Sequence, residues 1–81
     1  MEKQVYNRII VNPKIMAGKP VIKGTRIPID LIVELLAEGL TKEEILEDYP
    51  QLKNEDIIEV LKYLAELSRG ETTYTLNLKD A

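Results

Sequence analysis

Seven carboxylates raise the first question of chemistry. Glu43, Glu44, Glu47 and Asp48 form one cluster, and Glu55, Asp56 and Glu59 a second. Two or three carboxylates converging in a pocket hold a divalent cation or carry out acid–base hydrolysis. Neither cluster has a histidine or cysteine to work with, because the chain contains none. Disulfides, thiolate metal sites and thiol nucleophiles are thereby removed. So are the usual zinc ligand and the side chain best suited to proton transfer near neutral pH. The expectation is a binding protein that is not an enzyme and carries no cofactor. Spacing agrees with this, since each cluster falls on the polar side of an amphipathic helix or in its first turn, where the helix dipole favours a carboxylate. Both clusters therefore read as solvated acidic faces.

The cations are concentrated elsewhere. Residues 1–29 hold six basic side chains against Glu2 alone, a balance of +5, and residues 30–81 hold five against thirteen acidic ones, a balance of −8. Opposite fields of this size suggest two faces for two kinds of partner, or two halves that neutralise each other across the fold. The basic part centres on Ala17 to Asp30, AGKPVIKGTRIPID. Its GKPVIKGT core superficially resembles a phosphate-binding loop, G-x-x-x-x-G-K-[ST], but five residues separate Gly18 from Gly24 and no Lys stands between Gly24 and Thr25. Pro20, Val21 and Ile22 fill its interior with apolar bulk, so nucleotide binding is rejected. What remains is a basic hairpin displaying Lys19, Lys23 and Arg26 beside Thr25, either to nucleic-acid phosphates or to water alone.

Short elements must position these residues. Arg8-Ile9-Ile10-Val11 and Val21-Ile22 read as strands, punctuated by Asn12-Pro13 and Lys23-Gly24. Gly24 can take the positive φ of a tight turn. Pro28 suits the first turn of a helix. Ile29, Ile32, Val33, Leu36 and Leu40 then fall on one helical face, and Gly39 is the expected left-handed stop. Thr41-Lys42-Glu43-Glu44 is a capping box opening a second helix, whose inner residues are Ile45, Leu46 and Tyr49 and whose end is Pro50. Asn54 caps a third helix with Ile57, Val60, Leu61 and Leu64 as its inner stripe, closed by Arg69-Gly70. In the tail, TTYTLNL alternates strictly, with Tyr74, Leu76 and Leu78 on one side. That strand either completes the sheet or adds to the sheet of a partner.

The spacing from Leu35 to Ile45, with its glycine turn and capping box, is that of a helix-turn-helix, which would make the third helix a recognition helix. Its reading positions would be Lys53, Asn54, Glu55, Asp56 and Glu59. Asn can read adenine, but three carboxylates so close would be repelled by phosphate. Eighty-one residues form one domain, 1–81, divided into a basic hairpin segment (1–27), a three-helix bundle (28–69) and a tail (70–81). At this size only about 60–65 % of the unfolded surface is buried, and self-association is a common remedy, so a homodimer is expected. No apolar run reaches the roughly 18–20 residues needed to span a bilayer, and the N-terminus lacks the apolar core of a secretory signal. A cytoplasmic protein without membrane contact is the default.

The run from Asn12 to Pro28, NPKIMAGKPVIKGTRIP, with Leu36-Ala37-Glu38-Gly39, Glu43-Glu44-Ile45, Asp48-Tyr49-Pro50 and Glu55-Asp56-Ile57, resembles the signature of the domain-of-unknown-function family 433 over roughly residues 8–67. The resemblance implies a small prokaryotic protein with a homeodomain-like or winged-helix three-helix core behind a short N-terminal hairpin. It further implies similarity to antitoxins of the VapB type, encoded beside a PIN-like ribonuclease toxin that the antitoxin neutralises while repressing its own promoter. The family offers no catalytic residues to carry over.

The resulting expectation is a mostly α helix-turn-helix bundle with a small β-hairpin. Lys19, Lys23, Thr25 and Arg26 contact DNA phosphates, joined by Lys42, Lys53 and Asn54. The acidic helices and the tail residues Tyr74, Leu76 and Leu78 face the toxin. The competing expectation is a protein-interaction module that never touches DNA.

Overall fold

A computed structural model describes residues 2–70 of the chain. Three strands, β1 (Lys3–Tyr6), β2 (Ile9–Val11) and β3 (Val21–Ile22), precede three helices, α1 (Ile29–Ala37), α2 (Lys42–Asp48) and α3 (Asn54–Arg69). The strands form one antiparallel sheet in the order β1-β2-β3, and each helix contacts the other two. The fold is therefore mixed α/β. The expectation of a mostly α bundle with a small hairpin is corrected by β1, which lay outside the strands read from the sequence. Its Val5 and Tyr6 favour strand, and a two-residue turn at Asn7-Arg8 folds it back onto β2.

Alternation sorts the sheet's side chains. Ile9 and Ile22 pair across β2 and β3 and join the core with Ile27, Ile29, Ile32, Ile45, Leu52, Ile57, Val60 and Tyr63. Ile10 and Val21, the neighbouring pair, are also buried. The apolar interior of the supposed phosphate loop is thus a strand paired into the sheet. Past β3 the chain turns tightly. The Ile22 N–H donates to the Ile27 carbonyl at 3.0 Å, and Gly24 takes φ +80°, as its expected turn role requires.

Local signals set most helix limits. Gly39 adopts φ +99° after α1, and the Thr41 box is complete: its hydroxyl accepts from the Glu44 N–H at 3.1 Å while Glu44 accepts the Thr41 N–H at 2.8 Å. Pro28 stands one residue earlier than expected, as the N-cap of α1. Asn54 is not the cap of α3. Lys53 occupies that position, and its N–H is taken by the Asp56 carboxylate at 2.8 Å. The inner stripe of α3 also shifts: Leu61 is 46 % exposed, whereas Tyr63 is buried. The buried face of α3 is Asp56, Ile57, Val60 and Tyr63, with Leu64 and Leu67 partly buried beside it, and residue 61 lies beyond its edge.

The connection between β2 and β3 holds an unusual turn. Met16, Ala17 and Gly18 all take positive φ, at 50°, 57° and 82°. Left-handed backbone costs an L-residue about 1 kcal/mol or more, so the two non-glycine positions are strained.

Candidate functional site

Three successive residues, Tyr6 at the end of β1 and Asn7 and Arg8 of the turn, reach across to α3. The Tyr6 hydroxyl donates to Glu66 at 2.9 Å, the Asn7 amide donates to Glu59 at 3.0 Å, and the Arg8 guanidinium engages Asp56. Asp56, Glu59, Tyr63 and Glu66 stand at 3-4-3 spacing and so form one stripe of α3. Tyr63 closes the stripe by packing its ring 5.7 Å from that of Tyr6. The second acidic cluster is therefore not wholly a solvated face. Asp56 is 1 % exposed, with one carboxylate oxygen on Arg8 and the other on the Lys53 N–H. A buried carboxylate is tolerated only when paired and hydrogen-bonded, and Arg8 supplies that pairing. The hydrogen bond and charge of Asp56 raise the Arg8 guanidinium further above its ordinary value. Glu66 likewise raises the Tyr6 phenol, chiefly by accepting its hydrogen bond.

The first acidic cluster behaves as expected. Glu43, Glu44, Glu47 and Asp48 are all exposed on α2. Among the described residues no group of three carboxylates converges to hold a metal ion.

The expected DNA contacts divide into two groups. Lys23, Arg26, Lys53 and Asn54 are exposed. The Lys23 N–H donates to the Arg8 carbonyl at 2.9 Å, and Arg8 holds Asp56 in the first turn of α3. Lys23 at the turn and Lys53-Asn54 at the start of α3 are thereby tied to one corner of the fold. Glu55, beside them, is exposed and keeps that corner of mixed charge. The other group is already committed within the chain. Lys19 pairs with Asp30 of α1 at 3.2 Å, both side chains being largely exposed. The Thr25 hydroxyl donates to the Ile22 carbonyl at 2.8 Å and accepts the Ile27 N–H at 3.0 Å, which fixes the turn. Lys42 is half-buried in the first turn of α2. Tyr74, Leu76 and Leu78 lie outside the described residues.

Sequence reading missed Arg8 and Asp56 as partners. Two signals were present: a lone arginine heading an apolar strand, and an aspartate three positions after the true cap of α3.

Known proteins set this geometry in context. The family model described as "Protein of unknown function (DUF433)" matches residues 9–64. An uncharacterized protein of Archaeoglobus fulgidus is 61 % identical over 28 residues, 35 % of this chain and 78 % of that protein. The uncharacterized protein y4eO of Sinorhizobium fredii is 39 % identical over 46 residues, which cover 57 % of this chain but 21 % of y4eO. The crystal structure of a DUF433 member protein from Anabaena variabilis superposes with a TM-score of 0.71 at 29 % identity, over 80 % of this chain and 64 % of that one. The matched span takes in Arg8's neighbour Ile9, the whole 12–28 run and α3 as far as Leu64, so the chain belongs to the DUF433 family.

Proposed function

We propose that this chain is an antitoxin-like protein of a toxin–antitoxin pair, which masks a PIN-like ribonuclease and binds the DNA upstream of its own gene. The observation that supports the reading best is the distribution of exposed charge. Asp30, Glu34 and Glu38 at α1, with Glu43, Glu44, Glu47 and Asp48 on α2, expose carboxylates to solvent, and the one cation on these helices, Lys42, is half-buried. A nuclease that binds RNA phosphates needs basic side chains to hold them, which an acidic surface can cover. The mechanism is occlusion, and this chain performs no covalent step.

The DNA arm rests on the corner of Lys23, Lys53 and Asn54, with Arg26 exposed in the same turn as Lys23. Read as a helix-turn-helix, α2 and α3 would place Asn54 toward base edges while Lys23 and Arg26 meet phosphates. Homodimerisation would then supply two such corners. The tail residues Tyr74, Leu76 and Leu78 remain part of the proposed nuclease contact.

A mobility-shift assay on the upstream DNA, with and without the nuclease and at two salt concentrations, tests the division of labour. Each lost phosphate contact lowers the salt slope by about one unit. Lys23→Glu with Arg26→Glu is expected to abolish the shift and leave nuclease binding intact. Unchanged DNA binding in that double variant would remove the basic corner from the scheme. A second reading, an interaction module without DNA contact, is favoured by Glu55, exposed in the first turn of α3 beside Lys53 and Asn54. Absence of any shift with the unmodified chain, alongside intact nuclease binding, would select it.

A further inference from the structure

Two clefts, of about 640 and 520 Å³, adjoin along the seam between α1 and α3. They share Lys19, Ile29 and Asp30, so they lie side by side on one grooved face. Ile29, Leu31, Val33, Leu64 and Leu67 give it apolar walls. At its rim Met16 is 40 % exposed, held there by the strained turn in which Met16 and Ala17 take positive φ. Backbone strain kept in order to display an apolar, adaptable side chain at a groove mouth points to a binding surface. Asp30 is compensated by Lys19. Glu34, on the same wall, has no ion-pair partner among the described residues.

We propose that this groove seats one amphipathic helix of the partner nuclease, its apolar side on Ile29, Val33 and Leu64 and a lysine or arginine on its flank opposite Glu34. The inference rests on the antitoxin reading and assigns it a contact surface. A helix suits the larger cleft because α1 and α3 supply Ile29, Leu31, Val33 and Leu64 there, and their backbone groups are already paired and offer no edge to an extended strand, while Val11, Gly18 and Pro20 close the other end. A second copy of this chain suits it poorly. The exposed sides of its own α1 and α2 are acidic and would set carboxylates against Glu34.

The test uses the full chain and the purified nuclease, with binding measured by calorimetry and folding checked by circular dichroism. Met16→Glu and Glu34→Lys, both at exposed positions, are each expected to raise Kd by about tenfold or more. Leu61→Glu, an equally exposed apolar residue outside the groove, is the control and should leave Kd within about twofold. Hydrogen exchange in the complex should gain protection over 29–34 and 64–67. Wild-type affinity in both groove variants would overturn the assignment while leaving the antitoxin reading in place. So would a change in self-association, read by sedimentation, with nuclease binding intact. Failure of the unmodified chain to bind the nuclease would remove both the assignment and the reading beneath it.

Discussion

The starts of α2 and α3 carry the same kind of acidic sequence and reach different ends. At α2 the box is closed locally: Thr41 and Glu44 satisfy each other, and Glu43, Glu47 and Asp48 stay in water. At α3 the equivalent acid, Asp56, takes the N–H of Lys53 and is then covered, because Arg8 reaches it from forty-eight residues away in sequence. A carboxylate three positions into a helix is thus a cap in both cases, but only a distant cation turns one of them into a buried tie between sheet and helix. Isolated helix amphipathicity cannot distinguish the two.

Substitution separates them most sharply at the ion pair. Arg8→Ala leaves Asp56 buried beside a single N–H donor and is expected to cost about 3 kcal/mol, since removal of one partner strands the other charge. Asp56→Ala, which also uncaps α3, should cost about the same, reduced by the partial exposure of Arg8. Urea unfolding measures both. The comparison breaks if either costs no more than Glu47→Ala, which at an exposed site should stay within about 0.5 kcal/mol. Thr41→Ala tests the local box alone and should cost about 1 kcal/mol, with no change in the contacts of β1.

A smaller effect lies at the other end of the α3 stripe. Glu66 raises the Tyr6 phenol above its ordinary value of 10.0. Because the folded value is raised, the folded state keeps its proton where the unfolded state has lost it. The Tyr6 contribution is therefore complete below the unfolded pKa and is lost as pH rises through the folded one. Absorbance titration should show a component ionising later than free tyrosine, and Tyr6→Phe should remove it. The least effect is expected at Lys19–Asp30, an exposed pair, where Asp30→Asn should change stability by about 0–0.5 kcal/mol.

Much of this architecture was legible in the residues. The Gly24 turn, the Gly39 stop, the Thr41 box and the apolar faces of α1 and α2 all follow from local chemistry, and local chemistry is what a sequence displays. The losses have one physical origin. β1 is short and is defined by pairing with β2 and by packing of Tyr6 on Tyr63, neither of which leaves a periodic trace. Asp56 looked solvated because its burial depends on Arg8. Thr25 and Lys19 looked available because the groups that occupy them, the Ile22 carbonyl and Asp30, are revealed only when the turn and α1 are placed together. Within the candidate site, residue types were therefore readable and their vacancy was not. The strain at Met16 and Ala17 carried no signal at all, since left-handed backbone is anticipated at glycine.

The proposal most in need of a test is that this chain silences a nuclease by covering it. Its most direct measurement is RNA cleavage by the purified PIN-like nuclease titrated with this chain. The account predicts that cleavage falls in proportion to added chain and ceases at a fixed stoichiometry, with no alteration of the RNA by the chain alone. Cleavage that continues undiminished at saturating chain would contradict it.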